Sequence, residues 1–304
     1  MPNTNLLRRS QLVVPGNDVE VLDHAAASSA DEVILDLEDS VRSNEKAVAR
    51  EQVVDAIEEN DWGGKIVSCR INGLNTRWWY EDVVTLGTGA GEEIDSFVLP
   101  KTDSAEMVTG LDFLLTQVEV NAGLPTNSIG VEAQIESALG MSNVIDIAHT
   151  GERLDSLIFG PGDYSASIGV GGLTTGHSNQ YPGHYWHYAL SRLVHAAKGA
   201  GLQAIDGLFA DFEDEEGFQE ACNQAKMVGC DGKWVIHPKQ VEHANTVFAP
   251  TEEQARLATQ ITEAYETARQ EGQQTATFEG EVIDDATYQM AKNMVERAEQ
   301  AGVL

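Results

Sequence analysis

Ionisable residues stand directly after a series of short apolar runs in this sequence. Glu38-Asp39, Arg70, Lys101, Glu136, Asp163, Asp206 and His237 each follow a stretch rich in Val, Ile, Leu or Phe, whereas the first run ends in an uncharged Pro15-Gly16. If the runs are strands of one sheet, the carboxylates of Glu38, Asp39, Glu136 and Asp163 meet at a common rim, where they repel unless a cation neutralises them. Oxygen donors without His or Cys partners favour a hard divalent ion, Mg2+ ahead of Mn2+, with positions left open for water and substrate. Such an ion works as a Lewis acid. The planar fork of Arg70 suits a substrate carboxylate or a developing oxyanion; the alternative is an ion pair with Glu38 that only holds the rim together. Taken singly, Asp39 or Asp163 could equally be a helix cap. Gly160-Pro161-Gly162-Asp163 would let backbone N–H groups near Gly162 approach a bound anion closely. His184 and His187 read as surface or packing residues ahead of a shared metal pair.

The elements that must position these residues are legible as alternation. Eight segments, Gln11 to Val14, Glu32 to Asp36, Lys65 to Ile71, Asp95 to Leu99, Ser128 to Ala133, Ser156 to Phe159, Leu202 to Ile205 and Lys233 to Ile236, are rich in β-branched or apolar residues. Most are nearly continuous apolar runs, which a parallel strand covered on both faces requires. Helical spacing follows, as in Asp18 to Ala30 and Asp103 to Val120. Eight strand–helix alternations in about 250 residues predict an α/β fold, a (β/α)8 TIM barrel, whose functional groups stand at the C-terminal strand ends. A doubly wound sheet is the runner-up, but no GxGxxG follows the first strand. We expect a barrel domain over residues 1–246 and a small helical extension over 247–304. In the extension, Glu252 to Gln270 and Asp285 to Ala301 read as helices and Glu271 to Gly280 as a connector. The extension is too short to fold alone, so it should pack on the barrel mouth or on a neighbouring subunit. The Gly/Ser/Thr-rich stretch from Tyr164 to His184 is expected to form a lid.

Composition narrows the function classes. The 304 residues carry 49 Asp and Glu against 19 Lys and Arg, a net charge of -30. That field repels nucleic acid and anionic lipid, so no nucleic-acid or membrane partner is expected. Acidic runs such as Asp211 to Glu216 read as a hydrated surface suited to high salt. Three cysteines, Cys69, Cys222 and Cys230, form no CxxC pair and read as reduced thiols. No apolar run reaches the roughly 20 residues needed to cross a bilayer, and no signal segment is legible, so a cytoplasmic location is expected.

The motifs resemble the malyl-CoA lyases and citrate lyase β-subunit-like proteins of the HpcH/HpaI aldolase superfamily. The matching stretches are Arg9-Ser10-Gln11-Leu12 with Pro15-Gly16, Leu35 to Val41, Arg70-Ile71-Asn72-Gly73-Leu74 with Trp79-Tyr80, Pro100-Lys101, Ile135-Glu136-Ser137, Ile205-Asp206-Gly207 and Gly232 to Gln240. The resemblance implies Mg2+ on Glu136 and Asp163, an outer shell ordered by Glu38 and Asp39, and Arg70 on the carboxylate or keto oxygen of glyoxylate. It implies a substrate-binding set of Arg70, Gly162, Asp163, Arg9, Lys101, Asp206 and Gly207. It also implies a catalytic Asp284 supplied by an adjacent subunit, hence a homotrimer or homohexamer. The activity implied is reversible Claisen cleavage of malyl-CoA or β-methylmalyl-CoA, a CoA thioester, to glyoxylate and acetyl-CoA or propionyl-CoA.

Three departures concern the acyl-CoA and not the metal. Asp18 and His24 stand where family members often carry CoA-binding cations, Leu208-Phe209-Ala210 replaces Pro-Phe-Gly, and His184 stands where an Asp is frequent. Rival expectations are a malyl-CoA thioesterase, a citrate-lyase-like subunit, and a non-catalytic metabolite-binding subunit.

Overall fold

The computed structural model describes residues 6–170 and 186–304; His184 and most of the expected lid lie outside them. Eight strands alternate with helices: β1 Ser10–Pro15, β2 Glu32–Asp36, β3 Ile66–Arg70, β4 Ser96–Leu99, β5 Gly130–Ile135, β6 Leu154–Phe159, β7 Gln203–Asp206 and β8 Gly232–Val235. Each pairs in parallel with the next, and β8 pairs with β1, which closes the barrel. The intervening helices are α1 Val19–Ala26, α2 Lys46–Glu59, α3 Trp79–Gly89, α4 Ala105–Ala122, α5 Ala138–Ser142, α6 Val144–Ala148, α7 Pro161–Ile168, α8 His187–Gly199 and α9 Glu215–Val228. Every residue of β2, β3, β4, β6, β7 and β8 is buried, the reason most strands read as nearly continuous apolar runs. Strand boundaries lie within two residues of the sequence expectation; β2 matches at both ends, and β5 moves most, starting at Gly130 and running on to Ile135.

The barrel interior is layered. At the N-terminal end, Glu32 and Glu132 share Gln11, whose Nε2 donates to both at 2.8 Å, and Ser68 and Ser96 donate to their remaining oxygens at 2.6 and 2.7 Å. Arg8 Nε completes the floor, 3.0 Å from Glu32. Burial, reinforced by the charge of Glu132, holds the Glu32 carboxyl well above its ordinary range. Above this floor Ile34, Val98, Ile158, Ile205 and Trp234 form a dry apolar layer. Two residues further along the inward-facing positions, Asp36, Arg70 and Glu136 form the C-terminal rim.

The chain divides into two compact units, residues 1–245 and 246–304, with the boundary inside α10 Pro238–Phe248. The second unit contains α11 Glu252–Gln270 and α12 Asp285–Gln300 around a core of Tyr265, Ala268, Ala276 and Ile283, with Tyr265 and Tyr288 stacked at 4.6 Å. The expected connector is instead half of a hairpin, β9 Ala276–Phe278 and β10 Glu281–Ile283. Its two-residue turn, Glu279-Gly280, has positive φ at both positions (50° and 89°), the turn that matches strand twist.

Candidate active site

Asp36 and Arg70 are register partners on β2 and β3. Arg70 Nε donates to Asp36 Oδ1 and Nη2 to Oδ2, both at 2.7 Å, so one edge of the guanidinium is fully engaged. Nη1 lies 3.2 Å from Glu38 Oε2, and the guanidinium rests over Trp234, 5.2 Å from the ring centroid. Burial opposes the Arg70 charge, but the charge and hydrogen bonds of Asp36, with Glu38 beside it, hold its pKa above the ordinary value. The ion pair with Glu38 expected as an alternative therefore exists, but Asp36 is the stronger partner.

The loop after β2 is pinned from below. Glu38 N–H donates to Asp36 Oδ1 at 2.8 Å, Ser40 Oγ donates to Oδ2 at 2.6 Å, and Lys46 Nζ donates to the carbonyls of Leu37 and Glu38 at 2.7 and 2.6 Å. This aims Glu38 and Asp39 at Lys101, whose ammonium donates to Glu38 and, at 3.3 Å, to Asp39. Burial raises the Glu38 carboxyl above its ordinary range against the pull of Arg70 and Lys101.

Glu136, directly after β5, is 4% exposed. Its Oε1 accepts from Lys101 N–H at 2.7 Å and its Oε2 from Gln134 Nε2 at 3.0 Å. Gly160, after β6, makes room for it: a Cβ there would lie 2.4 Å from Glu136 Cβ and 2.7 Å from Oε2. Burial, then the charge of Glu38 and, more weakly, of Asp163, pushes the Glu136 carboxyl up to about 8. Asp163 is exposed in the first turn of α7, where the N–H groups of Gly162 and Asp163 have no acceptor within the helix. The structure thus links Glu38, Asp39, Arg70 and Lys101 to one another and Lys101 to Glu136, and it places Asp163 near enough for its charge to act on the Glu136 carboxyl.

Two expected site residues are corrected. Arg9 precedes β1 at the opposite end of the barrel; its guanidinium forks onto Asp31 at 2.7 Å through Nε and Nη2, so it cannot contact a ligand at the rim. Asp206 alternates with the inward-facing Ile205, and its carboxylate is taken up by buried Lys233 on the outer, helix-facing side of the sheet. Gly207 does lie at the rim, where any Cβ would collide with Pro161 Cδ at 2.2 Å and Phe159 O at 2.3 Å. His237 stacks on Phe212 at 4.7 Å. Asp284, in the second unit, caps α12: its Oδ1 accepts from Thr287 N–H and Oγ1, both at 2.9 Å. Those bonds hold its carboxyl below the ordinary range. All three cysteines are buried, and burial pushes Cys222 up to about 12, so none offers a ready thiolate.

Asp36, Gln134 and Gly160 were not singled out from sequence. The signal for Asp36 was available, an acid ending an otherwise apolar strand; Gly160 was marked only as part of a glycine-rich strand end, not as room for Glu136, and nothing in the sequence marks Gln134.

The donors fit a hard divalent cation. Glu136 and Asp163 supply oxygens only, and the burial that, with the charges of Glu38 and Asp163, pushes Glu136 up to about 8 is a penalty on its charged form that a cation would relieve. Glu38 Oε2 is buried without a hydrogen bond and has Arg70 Nη1 beside it as an ion-pair partner at 3.2 Å. Among the described residues no three His, Cys, Asp or Glu side chains are grouped so as to hold a metal ion. Glu136 and Asp163 alone would leave coordination positions open, as a Lewis-acid site needs.

A closed (β/α)8 barrel with an acidic C-terminal rim and a buried, forked arginine there is the kind of scaffold on which enzymes of this fold build their sites. Residues 9–238 match the HpcH/HpaI aldolase/citrate lyase family, and the chain belongs to it. It is 39% identical over 303 residues to the L-malyl-CoA/beta-methylmalyl-CoA lyase of Cereibacter sphaeroides, covering 96% of this chain and 94% of that one. It is 34% identical over 297 residues to citrate lyase subunit beta of Leuconostoc mesenteroides, covering 97% and 95%. Among solved structures, the protein CitE of Mycobacterium tuberculosis in complex with magnesium, acetoacetate and coenzyme A is similar with a TM-score of 0.75 and 27% identity, covering 97% of this chain and 99% of that one. Among the described residues no helix is long and apolar enough to cross a membrane.

Proposed function

We propose that this chain is a Mg2+-dependent carbon–carbon lyase that cleaves malyl-CoA or β-methylmalyl-CoA reversibly to glyoxylate and acetyl-CoA or propionyl-CoA. The observation that carries this reading is the buried Glu136 carboxylate, near enough to Asp163 and to the Arg70 fork to feel the charge of both. The similarity to the Cereibacter sphaeroides lyase supports it. Glu136 and Asp163 would hold the ion, which supplies polarisation of the substrate's hydroxyl and carboxylate oxygens.

The protein's own groups do the rest. Arg70, preset by Asp36, has N–H groups left over for the carboxylate of the glyoxylate half. The N–H groups of Gly162 and Asp163 add donors to the same oxygens. In cleavage the hydroxyl proton passes to water, the C2–C3 electron pair passes to the thioester as an enolate, and Asp284 of a second copy, having taken a proton from water, delivers it to the enolate carbon and is left as the carboxylate. In condensation Asp284 takes that proton, and its hydrogen bonds from Thr287 favour the charged form this needs. A homotrimer or homohexamer is the assembly that would supply it.

The test is direct. Purified protein in high KCl with Mg2+, glyoxylate and acetyl-CoA or propionyl-CoA should yield malyl-CoA or β-methylmalyl-CoA by mass, and EDTA should abolish the product. Free malate released from malyl-CoA without glyoxylate would show a thioesterase instead.

A further inference from the structure

The rim carries more carboxylates than an open metal site can use. Glu38 is close enough to Glu136 for its charge to raise that carboxyl, and Asp39 stands beside Glu38. If either entered the ion's coordination sphere, it would fill a position that substrate oxygens need.

Lys101 stands between these two groups of acids. It follows Leu99-Pro100 at the end of β4 with φ 51°, a left-handed conformation that a lysine rarely adopts. The other non-glycine residues with positive φ among those described are Asn127, of a type that tolerates it, and Glu279, in the hairpin turn. At Lys101 this backbone sends N–H to Glu136 Oε1 at 2.7 Å while the side chain runs to Glu38 and Asp39. The next residue is tied to β5 as well, through Thr102 N–H to Gln134 O at 3.0 Å. One residue thus orients a metal-holding carboxylate with its backbone and holds two surplus carboxylates with its ammonium.

We propose that Lys101 is a positioning residue that keeps Glu38 and Asp39 out of the ion's coordination sphere, and not a substrate contact. This rests on the assignment of the ion to Glu136 and Asp163. Lys101 holds Glu38 Oε1, while Oε2 has only the Arg70 ion pair at 3.2 Å and no hydrogen bond, so loss of Lys101 frees the Oε1 side of the carboxylate to turn toward the ion. The sign of the effect is unusual: removing Lys101 strengthens metal binding and weakens catalysis.

The experiment is a calorimetric Mg2+ titration of the wild-type protein and of Lys101→Met without substrate, with kcat and the KM for glyoxylate and acetyl-CoA measured on the same samples. Lys101→Met should bind Mg2+ about fivefold more tightly, from one lost positive charge and one freed carboxylate. Its kcat should fall by about tenfold or more, with both KM values within about threefold of wild type. Lys101→Arg should return the metal affinity toward wild type. Unchanged Mg2+ affinity with a tenfold rise in either KM would overturn the proposal and make Lys101 a substrate contact. If Lys101→Met does not fold, the titration on Lys101→Gln decides by the same criteria. Failure of the wild-type protein to bind Mg2+ would instead sink the metal assignment itself, and this inference with it.

Discussion

Gly160→Ala isolates the fit around Glu136 from every other variable. Gly160 has φ -102° and ψ 88°, which alanine adopts without backbone strain, so any effect comes from the added methyl group. That methyl would sit 2.4 Å from Glu136 Cβ, 2.7 Å from Oε2 and 3.2 Å from Gln134 Nε2. Ordinary carbon–carbon contact is about 3.5 Å or more, so Glu136 Cβ or the β6 end must shift by about 1 Å. A flexible carboxylate can turn away, but a Cβ moves only with its backbone. Overpacking of this kind costs about 1–3 kcal/mol of stability, and a 1 Å displacement of a group that orders the reacting atoms costs about a hundredfold in rate. We expect kcat/KM for malyl-CoA cleavage to fall about a hundredfold, the Mg2+ concentration giving half-maximal rate to rise, and the chain to remain folded by thermal melting. Wild-type metal dependence and turnover in a folded Gly160→Ala protein would refute the claim that the Glu136 position governs the site.

Asp36→Asn should destabilise the barrel by about 3–5 kcal/mol in chemical denaturation, because it leaves the Arg70 charge buried without its main partner, and it should raise the KM for glyoxylate. Burial alone would raise the Asp36 carboxyl, but Arg70 and the Ser40 and Glu38 donors hold it below its ordinary value. Its contribution to stability is therefore present above the unfolded-state value near 3.9 and is lost as pH falls through the depressed folded value, a loss that acid melts should show absent in Asp36→Asn. Metal-free Glu136 keeps its proton up to about pH 8. Apparent Mg2+ affinity should thus rise with pH until about 8, with proton release visible as buffer-dependent heats in calorimetry. Asp284→Asn should lose turnover while keeping its melting temperature and Mg2+ affinity, since asparagine also caps a helix. Co-expression with Glu136→Gln chains should restore part of the activity if Asp284 acts across subunits.

The barrel was legible because parallel strands buried on both faces leave unbroken apolar runs, and because catalytic groups of such barrels stand at the strand ends. Glu136, Asp163, Glu38, Asp39, Arg70 and Lys101 follow from those two rules; the structure joins Glu38, Asp39, Arg70, Lys101 and Glu136 by hydrogen bonds and ion pairs, and Asp163 acts on Glu136 through its charge. What failed was direction within a strand. Asp206 is adjacent to the inward-facing Ile205 and so points outward to Lys233, a consequence of the two-residue period that reading strand ends ignores. Arg9 lies within a matching motif but at the entrance of its strand, not the exit. The floor acids Glu32 and Glu132 interrupt apolar runs, and nothing local says that Arg8 and three serines meet them. The β9–β10 hairpin escaped because its strands are three residues long and its turn is Glu-Gly in place of the usual Asn-Gly. Gly160 could only be understood once the Glu136 side chain was in place.

The most direct measurement is crystallography with Mn2+ substituted for Mg2+ and glyoxylate present, using anomalous scattering to locate the ion. A single peak within about 2.2 Å of a Glu136 carboxylate oxygen and an Asp163 oxygen, with glyoxylate between it and Arg70, is the expected result. An anomalous peak elsewhere, or none between these two carboxylates at saturating metal, would contradict the assignment.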